Sequence, residues 1–427
     1  MQIHVVTPGQ SIYGIAQAYG TTPDQIISAN ELRTPNQLVV GQALVIPITG
    51  SYYFVQPGDT LTTISRKVGV SVQELASINR ISADAPLNVG TRLYIPPRPK
   101  TKADFTGYIE PRGSSVSAFL ENSARQAAPY LTFLAPFSFN IQRDGALTEP
   151  PLGNFASIAQ QQSTALMMVI TNLVNDAFDP DLGHLFLNDM GVQDTLIDNI
   201  VVLAQKYGFE NVNFDIEHLR AEDRQAYVNF LQKAHNTFAA EGLSTSVALA
   251  PKTSDQQTGE WYAAYDYRAI GAVVDFVIIM TYEWGYSGGP AQAVSPIGPV
   301  RDVLTYATSV IPPRKIFMGQ NLYGYDWTLP FRPHTTARAI SPQQAIDIAR
   351  ENNAAIQFDP VAQAPFFRYR DASGRGHEVW FEDARSIQAK FNLLKELDLL
   401  GMAFWKLGLP FPQVWQLIQD NFNVTKV

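Results

Sequence analysis

The 427-residue chain is 46% hydrophobic and 16% charged, which excludes a disordered polymer and gives room for two or three packed domains. Its formal net charge is −8, and no Lys/Arg cluster breaks that balance, so nucleic acid is not an expected partner. Cysteine is absent, which excludes disulfides and cysteine-based nucleophile or metal chemistry. The opening MQIHVVTPGQS lacks the charged start and apolar run of a signal peptide, and no apolar stretch has transmembrane length. Neither a membrane nor the usual secretory route is therefore expected.

The first hundred residues contain a duplication. His4-Val5-Val6-Thr7-Pro8-Gly9-Gln10-Ser11 returns as Tyr53-Phe54-Val55-Gln56-Pro57-Gly58-Asp59-Thr60, and the stretch Val40–Pro47 returns as Val89–Pro96. Asn30 likewise matches Asn79, and every pair shares an offset of 49 (58 − 9 = 79 − 30). Each copy reads strand, helix, helix, strand, with a Pro-Gly turn followed by a capping Ser11 or Thr60. Both copies resemble LysM modules, at 1–48 and 51–97, followed by a stiff Pro-rich linker at 98–103. The resemblance implies binding of glycans that contain N-acetylglucosamine. It places contacts at Gly9, Gln10, Ser11 and Ile12, and at Gly58, Asp59, Thr60 and Leu61. The same residues serve equally well as turn and cap.

From residue 104 to 427, strands and helices alternate. Strands are predicted at 105–109, 130–137, 165–171, 212–216, 244–250, 276–282, 316–321 and 402–405. Eight such units predict a (β/α)8 barrel with its chemistry at the C-terminal strand ends, an open doubly wound sheet being the alternative. No glycine-rich phosphate loop follows any strand, so no nucleotide cofactor is expected.

The fourth strand ends Asn211-Val212-Asn213-Phe214-Asp215-Ile216-Glu217-His218. Alternate residues of a strand share a face, so Asn213, Asp215 and Glu217 point into the barrel together. Two inward carboxyls without a cation on the same strand split their pKa values, leaving one as an acid near neutral pH. The segment resembles the D-x-x-D-x-D-x-E signature of glycoside hydrolase family 18. Met280-Thr281-Tyr282-Glu283-Trp284 is similar to that family's sixth strand, and Gly401-Met402-Ala403-Phe404-Trp405 to its last. The region 330–385 is similar to the α+β insertion before that last strand.

This resemblance implies hydrolysis with retention, in which the substrate's own acetamido group is the nucleophile. Glu217 would be the acid and base, Asp215 would stabilise the acetamido group, and Tyr282 would hydrogen bond it. Asn213 would position Asp215, and Trp405 would stack beneath the sugar. Glu283, Asn321, Tyr323, Asp326 and Trp327 are further candidates for contacting substrate. No metal-ligand spacing occurs, so neither metal nor other cofactor is implied.

Two positions depart from the signature: Glu210 and Asn213 stand where the family has Asp. Activity is expected to survive with a changed pH profile, and an Asn213→Asp variant with an unaltered profile would contradict this. The Asn form, the two LysM modules and the missing signal peptide resemble a spore-associated subgroup of cortex-lytic family 18 enzymes. That subgroup implies a monomeric N-acetylglucosaminidase of spore-cortex peptidoglycan, made in the mother-cell cytoplasm and resident in the spore coat or cortex. A chitinase, or a glycan-binding coat protein on the same barrel, are the alternatives.

Overall fold

The computed structural model describes residues 1–259 and 261–426. In the first repeat, strand Gln2–Val5 pairs antiparallel with Ala43–Ile46 across helices Ile12–Tyr19 and Pro23–Asn30. In the second, Ser51–Phe54 pairs with Arg92–Ile95 across Leu61–Val68 and Val72–Ile78. The repeated asparagines explain why each module closes. Asn30 Nδ2 donates to the Ile26 and Val45 carbonyls at 2.8 and 2.7 Å, and its Oδ1 accepts from Val45 N–H at 2.8 Å. Asn79 repeats the pattern with Leu75 and Tyr94. One amide thus ties the second helix to the closing strand and satisfies buried backbone groups that would otherwise be costly.

The modules pack on each other and on the rest of the chain. Tyr19 lies against Tyr52 and Phe54, while Arg92 covers the Tyr52 ring and donates to the Ala18 carbonyl. Only the first repeat has the following contacts with the catalytic unit. Val39 enters an apolar cluster with Ile340, Ile346, Ile356 and Phe367, and Ile356 N–H donates to the Val40 carbonyl at 2.9 Å. Asn30 and Gln413, and the N-terminal ammonium and Asp420, make two more links.

Eight parallel strands close into a barrel: β1 Thr101–Ile109, β2 Phe133–Pro136, β3 Ala165–Thr171, β4 Phe209–Asp215, β5 Ser244–Leu249, β6 Phe276–Ile279, β7 Ile316–Asn321 and β8 Gly401–Trp405. The ladder β8 to β1 completes the circle. Tyr108, Phe133, Met167, Val169, Ile278 and Phe317 fill the interior, while Val212, Phe214 and Ile216 face the surrounding helices. β1 begins at Thr101, inside the stretch assigned to the linker, because the C-terminal strand Phe422–Val424 pairs with Thr101–Ala103.

The insertion is a five-stranded antiparallel sheet with helix Pro342–Glu351. It starts at Gly324 rather than at 330, since strand Gly324–Leu329 pairs with Gly376–Trp380. Asp326 and Trp327 therefore belong to the insertion.

Candidate active site

β4 delivers Asp215 at its last residue and Glu217 two residues on, both buried at the C-terminal mouth of the barrel. Beneath them Asn213 accepts from the Tyr108 hydroxyl at 3.0 Å and donates to Ser246 Oγ at 2.8 Å. Ser246 in turn donates to Asn211 Oδ1 at 2.8 Å. Asn213 was expected to position Asp215 directly. Its amide is instead held by β1 and β5, and Asp215 Oδ1 is buried without a hydrogen-bond partner. An unpartnered buried oxygen of this kind is unfavourable until something donates to it.

Glu217 is fixed at both backbone and side chain. Its N–H donates to Asn172 Oδ1 at 3.0 Å, and Asn172 Nδ2 donates back to its carbonyl at 2.9 Å. The indole of Trp261 donates to Oε2 at 2.6 Å. Burial raises the Glu217 pKa from its ordinary value to about 7, against the lowering effect of the Trp261 bond. Burial, and then the Glu217 charge, push Asp215 well above the usual carboxylate range. An acid with a pKa near 7 is suited to give a proton and take it back at neutral pH.

Tyr282, just past β6, is half-buried, and its hydroxyl is pushed up by burial and then by the Asp215 charge. Trp405, the last residue of β8, packs edge-on against Phe137 and Tyr108, with centroids 4.8 and 5.7 Å away. The structure therefore brings Asn213, Asp215, Glu217, Tyr282 and Trp405 to one barrel mouth. Glu283 is beside them in a left-handed backbone conformation at φ 68°, held by the hydroxyls of Tyr323 and Tyr325. Burial raises its pKa, and those two hydroxyls oppose the rise. A non-glycine residue held at positive φ is a recurrent mark of functional loops.

The remaining candidates are placed differently. Asn321 is fully buried and donates to the Tyr323 carbonyl at 2.7 Å, with its Oδ1 accepting from Gln320. Trp327 is buried with its indole on the Gly289 carbonyl at 2.9 Å. Asp326 lies on the opposite face of that strand, bound by Arg338, Tyr369 and His377. Asp326 and Trp327 build the insertion, and Asn321 is held inside the barrel at the end of β7. Tyr323 joins the apolar cluster against which Tyr282 and Trp405 pack, so it reaches the site through Glu283.

In the modules, Gly9 and Gly58 turn at φ 80° and 82° and are exposed along with Gln10, Ser11 and Thr60. Gln10 accepts from Thr7 N–H, while Asp59 accepts from Gln56 N–H, Tyr53 and Lys67. Ser11 and Thr60 cap their helices. Ile12 and Leu61 were expected at the glycan surface but are buried in the module cores, where the apolar face of a capped helix belongs. Among the described residues no cluster of His, Cys, Asp or Glu has a metal-holding arrangement, and no helix is long and apolar enough to cross a membrane.

Sequence reasoning missed Trp261, Asn172 and Tyr108. The local sign of Trp261 is an aromatic pair, Trp261-Tyr262, directly after the polar run 252–260.

A barrel of this topology, with two buried carboxyls at the end of its fourth strand, defines a glycoside hydrolase. The pattern described as glycosyl hydrolases family 18 matches residues 116–409, and the LysM domain pattern matches 4–47 and 53–96; the chain belongs to family 18. It is 62% identical to the cortical fragment-lytic enzyme of Bacillus subtilis (strain 168), over 100% of this chain and 99% of the relative. The crystal structure of the spore cortex-lytic enzyme SleL from Bacillus megaterium QM B1551 is similar at TM-score 0.91 and 54% identity, over 100% and 99% of the two chains. A chitinase from Chromobacterium violaceum ATCC 12472 shares the catalytic part at TM-score 0.68 and 25% identity, over 74% of this chain and 98% of that one.

Proposed function

We propose that this glycoside hydrolase is a spore-cortex N-acetylglucosaminidase that cleaves β-1,4 linkages of peptidoglycan with retention of configuration. The observation that carries the reading is the buried Asp215–Glu217 pair, with Glu217 poised near 7 and an unpartnered Asp215 oxygen beside it. Glu217 protonates the glycosidic oxygen as the acetamido oxygen of the same sugar closes on C1. Asp215 accepts the acetamido N–H, and that donation favours its carboxylate form as positive charge builds on the oxazolinium. Tyr282 holds the acetamido oxygen, and Trp405 supports the ring. Glu217 then takes a proton from the water that opens the oxazolinium.

The cortex assignment rests on relatives named for cortex lysis that span the whole chain, modules included. The exposed turns of the LysM modules are proposed to hold the glycan while the barrel cuts it. Mass spectrometry of muramidase-digested spore cortex tests this, with the protein and its Glu217→Gln variant in parallel. New fragments ending in reducing N-acetylglucosamine, absent with the variant, are expected. Cleavage of chitin oligomers without any new cortex fragment would reassign the enzyme as a chitinase. Glycan binding without cleavage of either would make it a binding protein.

A further inference from the structure

The loop between β5 and helix Tyr267–Val273 is built to present one side chain. Its base is pinned at both ends. Tyr265 donates its hydroxyl to the Ile216 carbonyl at 2.7 Å, next to Glu217 itself, and the fully buried Lys252 donates to the Tyr265 carbonyl at 3.0 Å. Arg224 joins Asp255 and Asp266 at 2.7 and 2.8 Å, and Tyr267 donates to the Ala250 carbonyl. From this base Trp261 reaches back to Glu217 Oε2 at 2.6 Å. Thr258, Gly259 and Ala263 of the same loop line an open, mainly apolar cavity of about 830 Å³ together with Phe178 and His218.

An indole N–H donates and cannot accept. The oxygen that it holds therefore cannot also point a proton at Trp261, and among the described residues no protein group bonds the other oxygen, Oε1. We propose that Trp261 is the positioning residue for the acid: by holding Oε2, it makes Oε1 the oxygen that gives the proton to the glycosidic oxygen and recovers it from water. The inference rests on Glu217 being the acid and base. In the first step the Oε1–H proton moves to the leaving oxygen as the C1–O bond breaks and the acetamido oxygen bonds C1. In the second, water adds to C1, the bond from the acetamido oxygen to C1 breaks, and the water's proton returns to Oε1. The indole keeps its proton throughout and stabilises the carboxylate between the two steps.

The groups that face Glu217 besides Trp261 are Asp215 on β4, Tyr265 on this loop and Tyr282 after β6. All three remain in a Trp261→Phe variant, which keeps an aromatic side chain at 261 and removes its N–H donor. That bond lowers the Glu217 pKa, and its loss raises it. On the cortex fragments, Trp261→Phe is expected to lower kcat about tenfold with little change in KM. The alkaline limb of its kcat/KM profile should move up by about one pH unit, because a donor to an ionised group has been lost. Trp261→His, which keeps a ring N–H, should recover part of kcat, and Tyr262→Phe on the same loop should behave as wild type. A folded Trp261→Phe protein with unchanged kcat and an unmoved alkaline limb would overturn the proposal. If Glu217→Gln also keeps full activity, the assignment of the acid itself has failed, which is a different result.

Discussion

Burial makes Asp215 and Glu217, at the end of β4, harder to ionise in the folded chain than in water, and this shapes the stability of the fold as well as its chemistry. For Glu217 the unfolded chain ionises near the ordinary value of 4.5 and the folded chain only near 7. Below 4.5 both states hold the proton, and the folded state has no disadvantage. As pH rises from there toward 7, the unfolded chain releases the proton and the folded one keeps it, so stability falls across this window. Glu217→Gln, which cannot ionise, should melt close to wild type at pH 4. At pH 8 it should be more stable by up to about 3 kcal/mol. Thermal melts at the two pH values check this, and an equal difference at both would contradict it. At this scale the sequence showed Asn213, Asp215 and Glu217 clearly, because alternation along one strand is a local property. Trp261 and Asn172 were hidden because each meets Glu217 only through the pairing of β4 with its neighbours β5 and β3, from a loop with no period of its own.

At the scale of elements, the repeat and the barrel strands were legible, since both rest on short-range patterns. β3 and β7 occupy the residues predicted for them, and the other strands differ only at their ends. The insertion was placed late because Gly324–Leu329 follows β7 almost directly, and only its pairing with Gly376–Trp380 shows which sheet it serves. The two modules were read as equivalent, and the structure distinguishes them. Gly41 and its repeat partner Gly90 have almost the same φ, 84° and 83°. A Cβ on Gly41 would fall 1.8 Å from the Ile356 carbonyl oxygen, whereas a Cβ on Gly90 meets nothing within 4 Å. Alanine at either position carries the same backbone strain, so the difference between the variants isolates the docking contact. Gly41→Ala should lower the melting temperature of the full chain by several degrees more than Gly90→Ala. Matched melting curves would contradict the docked arrangement.

For the whole molecule, the first module is part of the catalytic body and the second is joined mainly to the first. Removing residues 1–97 uncovers the apolar surface around Ile340, Ile346 and Ile356 and takes away the Asn30–Gln413 link, but leaves the barrel's own interior and helical layer intact. The truncated protein should fold with a lower melting temperature and keep its kcat on soluble fragments, while losing binding to intact cortex. A folded truncation that cleaves nothing would mean that the modules complete the active site. The central claim is that Asp215 and Glu217 work with the substrate's acetamido group, which fixes the stereochemistry of the product. Proton NMR of the reducing end released in the first minutes of digestion tests it most directly. The β-anomer should appear first and mutarotate only later, whereas initial release of the α-anomer would contradict substrate-assisted cleavage.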